Sequence, residues 1–199
     1  MAAAQVDALL ASGPFDAVAP TLDALELEQG VDAHWPWAAH VLGHLARSDL
    51  ALAHACFERA PESATADDAT EAAFAMLRCA RALDFPGLHE AAASPAWSSP
   101  TGRALVPLLK RVVESQSARA LALMRRAYTT VSVAAAAANL GLTEPNASKT
   151  LVETHGWTLD ERANVFRIPP PSPTPRQHSA MRALARLTDN AVAADAGAT

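Results

Sequence analysis

The chain has 199 residues and a formal net charge of −5, a length sufficient for one domain or two small ones with a packed core. Half of the residues are hydrophobic, which is typical of a globular chain, and the negative charge disfavours nucleic acid as the main partner. The sequence predicts no membrane span and no secretory signal, and its two isolated cysteines, Cys56 and Cys79, indicate free thiols in a reducing compartment.

The first 60 residues predict four short helices. An apolar stripe of helical spacing begins at Val6 and ends before Gly13, and a second stretch covers residues 15–27. Residues 35–46 and 50–60 predict an antiparallel helical pair, because a short polar loop joins two apolar helical patterns.

The next segment predicts a longer helix followed by a turn. Asp67 or Asp68 caps this helix, and Phe85-Pro86-Gly87 is expected to end it before a brief turn over residues 88–93. Its apolar face comprises Ala72, Ala73, Met76, Leu77, Ala80 and Leu83. We interpret residues 1–102 as a helical-repeat region of tetratricopeptide-like hairpins, similar in shape but without a fixed period.

A long amphipathic helix is predicted from about Leu105 to Tyr128. Because proline is tolerated only in a first helical turn, the regular helix is expected to begin near Pro107. Six cations against the single Glu114 give this region a charge of +5, whereas eight acids against two arginines give residues 1–60 a charge of −6. This asymmetry indicates either electrostatic steering of a partner or two solvated faces. The apolar stripe comprises Leu105, Leu108, Leu109, Val112, Gln116, Ala120, Met124 and Tyr128.

Residues 103–169 are predicted to combine this long helix with a winged helix and its small β-sheet. The predicted order is a β-prone segment at 129–131, a helix over 133–140 capped by Ser132, a helix over 144–155 between Thr143 and Gly156, and wing strands at 157–159 and 165–168.

The end of the chain predicts three further segments. Residues 170–175 are a stiff proline-rich linker, residues 176–192 a helix, and residues 193–199 a disordered tail. A lone helix of this length is marginal in water, so we expect it to pack against something else.

Patterns of catalysis and metal binding are absent from the sequence. His40 and His44 lie four residues apart on a predicted helix, with His34 nearby, but Val41 stands where a zinc protease needs glutamate. The sequence has no nucleophile motif and no phosphate-binding glycine loop. We therefore predict no enzyme activity, no catalytic residue, no metal site and no cofactor.

The winged helix is not expected to bind DNA. Its second helix offers Glu144 and Glu153 against Lys149, and acidic residues predominate in the wing turn as well. Such a surface repels phosphate, whereas a recognition helix that contacts DNA bases needs basic and amide side chains. The edge strand of the wing instead suits pairing with a strand of another protein.

Several motifs of the second half resemble the PCI domain, which subunits of the proteasome lid, the COP-nine signalosome and initiation factor three share. These motifs are Arg125-Arg126-Ala127-Tyr128, the alanine-rich helix ending Leu140-Gly141-Leu142, Gly156-Trp157, and Val165-Phe166-Arg167-Ile168-Pro169.

Further segments are similar to the small PCI subunits of the signalosome. They are Ser48-Asp49-Leu50 with Phe57-Glu58-Arg59-Ala60-Pro61, Asp84-Phe85-Pro86-Gly87-Leu88 with Trp97-Ser98, and Ala185-Arg186-Leu187-Thr188-Asp189 beyond the proline-rich linker. The resemblance implies a non-catalytic scaffold subunit of the complex that removes Nedd8 from cullin-RING ubiquitin ligases, in the cytoplasm and nucleus.

The resemblance also implies two partner interfaces with other PCI subunits. The predicted wing-edge interface comprises Trp157, Leu159, Val165, Phe166 and Ile168, of which alternate residues must face the wing's own core. The predicted bundle interface of the last helix comprises Met181, Leu184, Leu187 and Thr188. Two alternatives stay open, namely a small PCI subunit of the proteasome lid or of initiation factor three, and a nucleic-acid adaptor that uses the +5 helix.

Overall fold

Nine α-helices and one three-stranded sheet make up residues 2–31 and 34–170, the part of the chain that the computed structural model describes. The helices are α1 Ala2–Ser12, α2 Val18–Gln29, α3 Trp37–Ala46, α4 Leu50–Arg59, α5 Asp68–Ala82, α6 Phe85–Ala92, α7 Pro100–Ala127, α8 Val133–Leu140 and α9 Glu144–His155. The strands are β1 Thr130–Ser132, β2 Thr158–Asp160 and β3 Val165–Arg167. This confirms the predicted mainly helical fold with a small C-terminal sheet. Within these residues no helix has the length and hydrophobicity needed to cross a bilayer.

Four helices in the first two thirds of the chain begin at a residue whose side chain caps the helix. Each accepts a hydrogen bond from a backbone N–H in the first turn, which satisfies one of the donors that a helix start leaves unpaired. The caps are Asp49 for α4, Asp67 for α5, Asp84 for α6 and Ser99 for α7.

Helix α6 corrects the sequence prediction, which treated Phe85-Pro86-Gly87 as the end of a helix and residues 88–93 as a turn. Asp84 accepts a hydrogen bond from Gly87 N at 3.0 Å, and Pro86 lies in the first turn, where its missing N–H costs nothing. The Phe85-Pro86-Gly87 segment therefore starts a helix instead of ending one.

Leu83 was predicted on the buried face of α5, and this prediction is wrong. Leu83 ends α5 in the left-handed conformation with φ of 58°, and half of its side chain is exposed. The change of backbone direction at this residue turns the side chain away from the stripe that Ala73, Met76 and Ala80 continue to bury.

Helix α7 is longer than the sequence predicted. It begins at Pro100, because Ser99 accepts a hydrogen bond from Gly102 N at 3.0 Å and Pro100 occupies the first turn. Pro107 consequently lies inside the helix rather than at its start. Tyr128, which was predicted to complete the buried stripe, lies beyond the last residue of the helix and is exposed.

Two separate hydrophobic clusters form the interior, and α7 contributes to both. The first cluster gathers residues from α1 to α7, with Leu108 and Val112 as the contribution of the middle of α7. The second gathers Ala120 and Met124 of α7 with the winged helix. Members of the second cluster are Phe85, Ala120, Met124, Val133, Ala136, Ala137, Leu140, Ala147, Leu151, Trp157, Phe166 and Ile168.

The sheet has the order β1-β3-β2, with both pairs antiparallel. The register aligns three rows of residues across it, and successive rows face opposite sides. Val131, Phe166 and Leu159 form the row that packs on the second cluster. The sequence predicted the two wing strands and the β-prone segment, but not that the last strand lies in the middle.

Gly141 fixes the contact between α6 and the winged helix. It has φ of +65°, and a Cβ atom at this position would overlap the imidazole ring of His89 on α6. The His89 ring lies here because its Nε2 is 3.3 Å from the carbonyl oxygen of Asn139, to which it can donate. Glycine therefore serves both the turn after α8 and the close approach of α6.

We expect Gly141→Ala to lower the free energy of unfolding by more than the roughly 1–2 kcal/mol that a left-handed non-glycine residue costs, because the new methyl group also overlaps His89. The measurement is urea unfolding followed by tryptophan fluorescence. In a His89→Ala background only the backbone cost should remain. Equal losses in the two backgrounds would show that the overlap contributes nothing.

Candidate functional site

The sheet of the winged helix has two edges, β1 and β2, each hydrogen-bonded within the described part of the chain to β3 alone. The row Thr130–Arg167–Thr158 faces away from the core and is exposed. An open edge presents unpaired backbone N–H and C=O groups, which can pair with a strand of another chain.

The five side chains of the predicted wing-edge interface divide between the core and the surface. Trp157, Phe166 and Ile168 are buried in the second cluster, where the Trp157 and Phe166 rings meet edge to face at 5.9 Å. Leu159 is half-buried against the same cluster, and Val165 is half-buried on the outward side of the central strand. The prediction that alternate wing residues face the wing's own core is in keeping with this arrangement. What β2 leaves available to a partner is mainly its backbone.

The bundle interface of the last helix stays a prediction. Met181, Leu184, Leu187 and Thr188 lie outside the described residues, as do the predicted helix 176–192 and tail 193–199. Of the proline-rich linker, only Pro170 is described.

Three of the basic side chains of α7 make contacts within the chain. Arg111 is 3.6 Å from Asp16, and Arg103 and Arg119 donate to the carbonyl oxygens of Ser98 and Ala80. In the wing, Arg167 donates to Asp160 at 3.1 Å, and this hydrogen bond lowers the pKa of the Asp160 carboxyl group. The +5 helix therefore does not present six unengaged cations to a nucleic acid.

A cluster of titratable side chains joins α2 to α3. Asp23 Oδ1 lies 2.9 Å from His40 Nε2 and 3.3 Å from His44 Nε2, and both histidines are buried. The two rings stack with centroids 5.2 Å apart. The sequence predicted the His40–His44 pair on one helix, but no pattern in it indicated Asp23, which comes from the preceding helix.

The hydrogen bonds of His40 fix its protonation state. Trp35 Nε1 can only donate, and it donates to His40 Nδ1 at 3.2 Å, so the proton of the neutral ring is on Nε2 and is shared with Asp23. Burial lowers the pKa of His40, against the hydrogen bond that His40 donates to Asp23, which raises it. His40 is therefore held neutral between two partners.

This cluster also contains the atoms that come closest to a metal site among the described residues. One ligand atom each of His40, His44 and Cys56 lies within 4.8 Å of the others, and the same holds for Asp23, Glu26 and His40. Both ring nitrogens of His40 are already hydrogen-bonded, so a metal ion would have to displace Trp35 or Asp23. The geometry fits a hydrogen-bond network that holds α2 on α3 better than it fits a metal centre.

Neither cysteine has the environment of a reactive thiol. Cys56 is buried beside this network, and burial raises the pKa of its thiol to about 12. Burial also raises the pKa of Cys79. Because only the thiolate is a good nucleophile, both groups are poor candidates for covalent chemistry at neutral pH.

Comparisons with known proteins agree with the architecture. Residues 33–177 match the model of the CSN8/PSMD8/EIF3K family. The chain is similar to COP9 signalosome complex subunit 8 of Danio rerio, with 31% identity over 83% of this chain and 85% of the relative. It is also similar to the protein of the same name from Arabidopsis thaliana, with 28% identity over 90% of this chain and 92% of the relative. A third similarity, to the Xenopus tropicalis protein of that name, is 32% identity over 53% of each chain.

The histidine network should make stability depend on pH. Because the pKa of His40 is lower in the folded state than its usual value of roughly 6.5, the unfolded chain binds more protons as the pH falls. The contribution of His40 is fully present above the unfolded pKa and is lost as the pH falls through the folded one. We expect the free energy of unfolding to fall by at most about 1.4 kcal/mol per pH unit in that window.

The measurement is urea unfolding between pH 8 and pH 5. In His40→Gln, which retains a buried amide but cannot titrate, this part of the slope should disappear. An unchanged slope in the variant would contradict the assignment to His40.

Proposed function

The chain belongs to the CSN8/PSMD8/EIF3K family, and we propose that it is a non-catalytic scaffold subunit of the COP9 signalosome. In this proposal it serves the complex that removes Nedd8 from cullin-RING ubiquitin ligases, in the cytoplasm and nucleus, and contributes no reacting group itself. The two free cysteines are in keeping with a reducing compartment.

The observation that carries this proposal is similarity over nearly the whole length to signalosome subunits from an animal and a plant. It favours the signalosome over the other assemblies that the sequence left open, the proteasome lid and initiation factor three. The Asp84-Phe85-Pro86-Gly87 segment followed by Trp97 supports the same choice, because it resembles the corresponding segment of the small signalosome subunits.

We propose that assembly uses the open β2 edge of the wing. Three of the five large side chains predicted at this edge are buried in the domain's own core, which supports a contact made chiefly through backbone hydrogen bonds. The outward residues Thr158 and Asp160 flank this backbone. The last helix, with Met181, Leu184, Leu187 and Thr188, is proposed to join a helical bundle with the corresponding helices of the other subunits.

The experiment that tests this function is purification of the full-length chain, tagged at its N-terminus, from its own cells. Stoichiometric recovery of the other signalosome subunits, together with activity that removes Nedd8 from cullins, is the expected result. Recovery with proteasome or initiation-factor subunits would agree with the family but overturn the signalosome assignment. Recovery of the chain alone or with nucleic acid would overturn the scaffold role.

We expect Thr158→Lys to weaken incorporation into the complex by about tenfold, because a lysine at a sheet edge opposes pairing by another strand. Thr158 is exposed, so the variant should fold with only a small loss of stability, caused by the like charge of Arg167 opposite it on β3. Thr154→Lys, at an exposed threonine of α9, is the matched control and should assemble as the unmodified chain does. The measurement is the yield of partner subunits per tagged chain at several protein concentrations. Equal yields for the two variants would exclude the β2 edge.

A further inference from the structure

An apolar groove lies where α5 ends, α7 ends and the sheet begins. It has a volume of about 430 Å³ and is lined mainly by hydrophobic side chains of α7, with Leu83 and Phe85 on one side and Val131 of β1 on the other. Phe85 and Met124 form its buried floor. The groove therefore opens directly above the core of the winged helix.

Three of the eight exposed large hydrophobic residues in the described part of the chain belong to this groove. They are Leu83, Leu123 and Tyr128, with 50%, 36% and 57% of the side chain exposed. The other five lie outside the groove. Clustered apolar residues, and tyrosine above all, are characteristic of protein interfaces, whereas scattered ones are not.

The edge of the sheet that adjoins the groove is β1. Thr130 and Val131 line the groove, and β1 pairs with β3 on its other side. An extended segment placed here can form backbone hydrogen bonds with β1 while alternate side chains enter the groove. The groove thus suits a strand better than a helix.

The rim of the groove carries positive charge. Arg119 and Arg126 lie four residues before and three residues after Leu123 on α7, which places them beside it on the same helical face. Arg119 donates to the carbonyl oxygen of Ala80 at 3.4 Å, so its guanidinium group is fixed near the end of α5. Asp84, which accepts a hydrogen bond from Gly87 N, places one negative charge near Leu83 and Phe85 at the other side of the groove, so the positive charge is confined to the α7 side. A partner with carboxylates beside its apolar side chains would be complementary.

We propose that this groove binds an extended acidic segment of a neighbouring subunit, which adds a strand to β1. Its apolar side chains contact Leu83, Leu123 and Tyr128, and its carboxylates face Arg119 and Arg126. The inference rests on the proposed function only in taking the partner to be a subunit of the same assembly. It concerns a second surface, at the opposite edge of the sheet from β2.

The first test uses side-chain variants of the full-length chain in the complex rebuilt from the other signalosome subunits of the same organism. Leu123→Ser combined with Tyr128→Ser should weaken the binding of the neighbouring subunit at least about tenfold. Leu52→Ser is the control for the loss of an exposed leucine from a helix, since Leu52 is 47% exposed on α4. Unchanged binding of the double variant would overturn the proposal.

The charge of the partner is tested by a matched pair on α7. Arg126→Glu should weaken binding about tenfold and reduce its dependence on salt, because Arg126 flanks the groove. Arg125→Glu makes the same change at the adjacent residue, which the helix turns away from Leu123. An equal effect of both variants would mean that general charge, and not the groove, is recognised.

Hydrogen exchange on the unmodified chain tests the same inference without any variant that might unfold. Formation of the complex should slow exchange at the amides of β1. Protection confined to β2 would overturn the groove while leaving the scaffold function intact, and failure of the unmodified chain to assemble would overturn both. If the isolated chain self-associates and Leu123→Ser abolishes this, the occupant of the groove is a second copy of the chain, and the acidic partner is overturned.

Discussion

Helix α7 carries one apolar stripe through two hydrophobic cores, and α1, α3, α5, α6 and α8 all pack against it. At 1.5 Å per residue, its 28 residues span about 42 Å. Between its contributions to the two cores stands Gln116, which is fully buried and donates to the carbonyl oxygen of Leu45 at 2.9 Å. This bond satisfies an acceptor at the end of α3, where helices leave carbonyl groups unpaired. The polar side chain thus fixes the position along α7 at which the helical hairpins stop and the winged helix begins.

The sequence predicted well those features that depend on neighbouring residues. The apolar spacing of α7, the cap at Asp67 and the glycine ends of α8 and α9 all matched the structure, because each is decided within a few residues. Features decided by tertiary contact were missed. The Pro86-Gly87 dipeptide reads as a helix end, and only the Asp84 cap and the packing of α6 show that it starts one. Similarly, Asp23 contacts His40 across two helices, and no spacing in the sequence indicates that pair.

The strands of the candidate site were predictable from the sequence, and its role as an interface stays a prediction. Alternating apolar residues correctly indicated wing strands, but not which of the three strands would be central. Because β3 is paired on both sides, its backbone is not available to a partner. Its buried Phe166 side chain contributes to the core. The surfaces that we propose for recognition are the β2 edge and the groove beside β1. The large side chains of the wing pack in the core, so these proposals assign recognition to backbone groups and to residues of α5 and α7.

The buried thiol of Cys56 can serve as a probe of local opening in the native protein. Its thiol, on α4, lies close to His40 and His44 of α3 and has a pKa raised to about 12, so an alkylating reagent can reach a reactive thiolate only when α4 separates from α3. Cys79 is only half-buried and provides a second thiol for comparison. The ratio of their labelling rates would report how often α3 and α4 separate in the native protein, whether free or assembled.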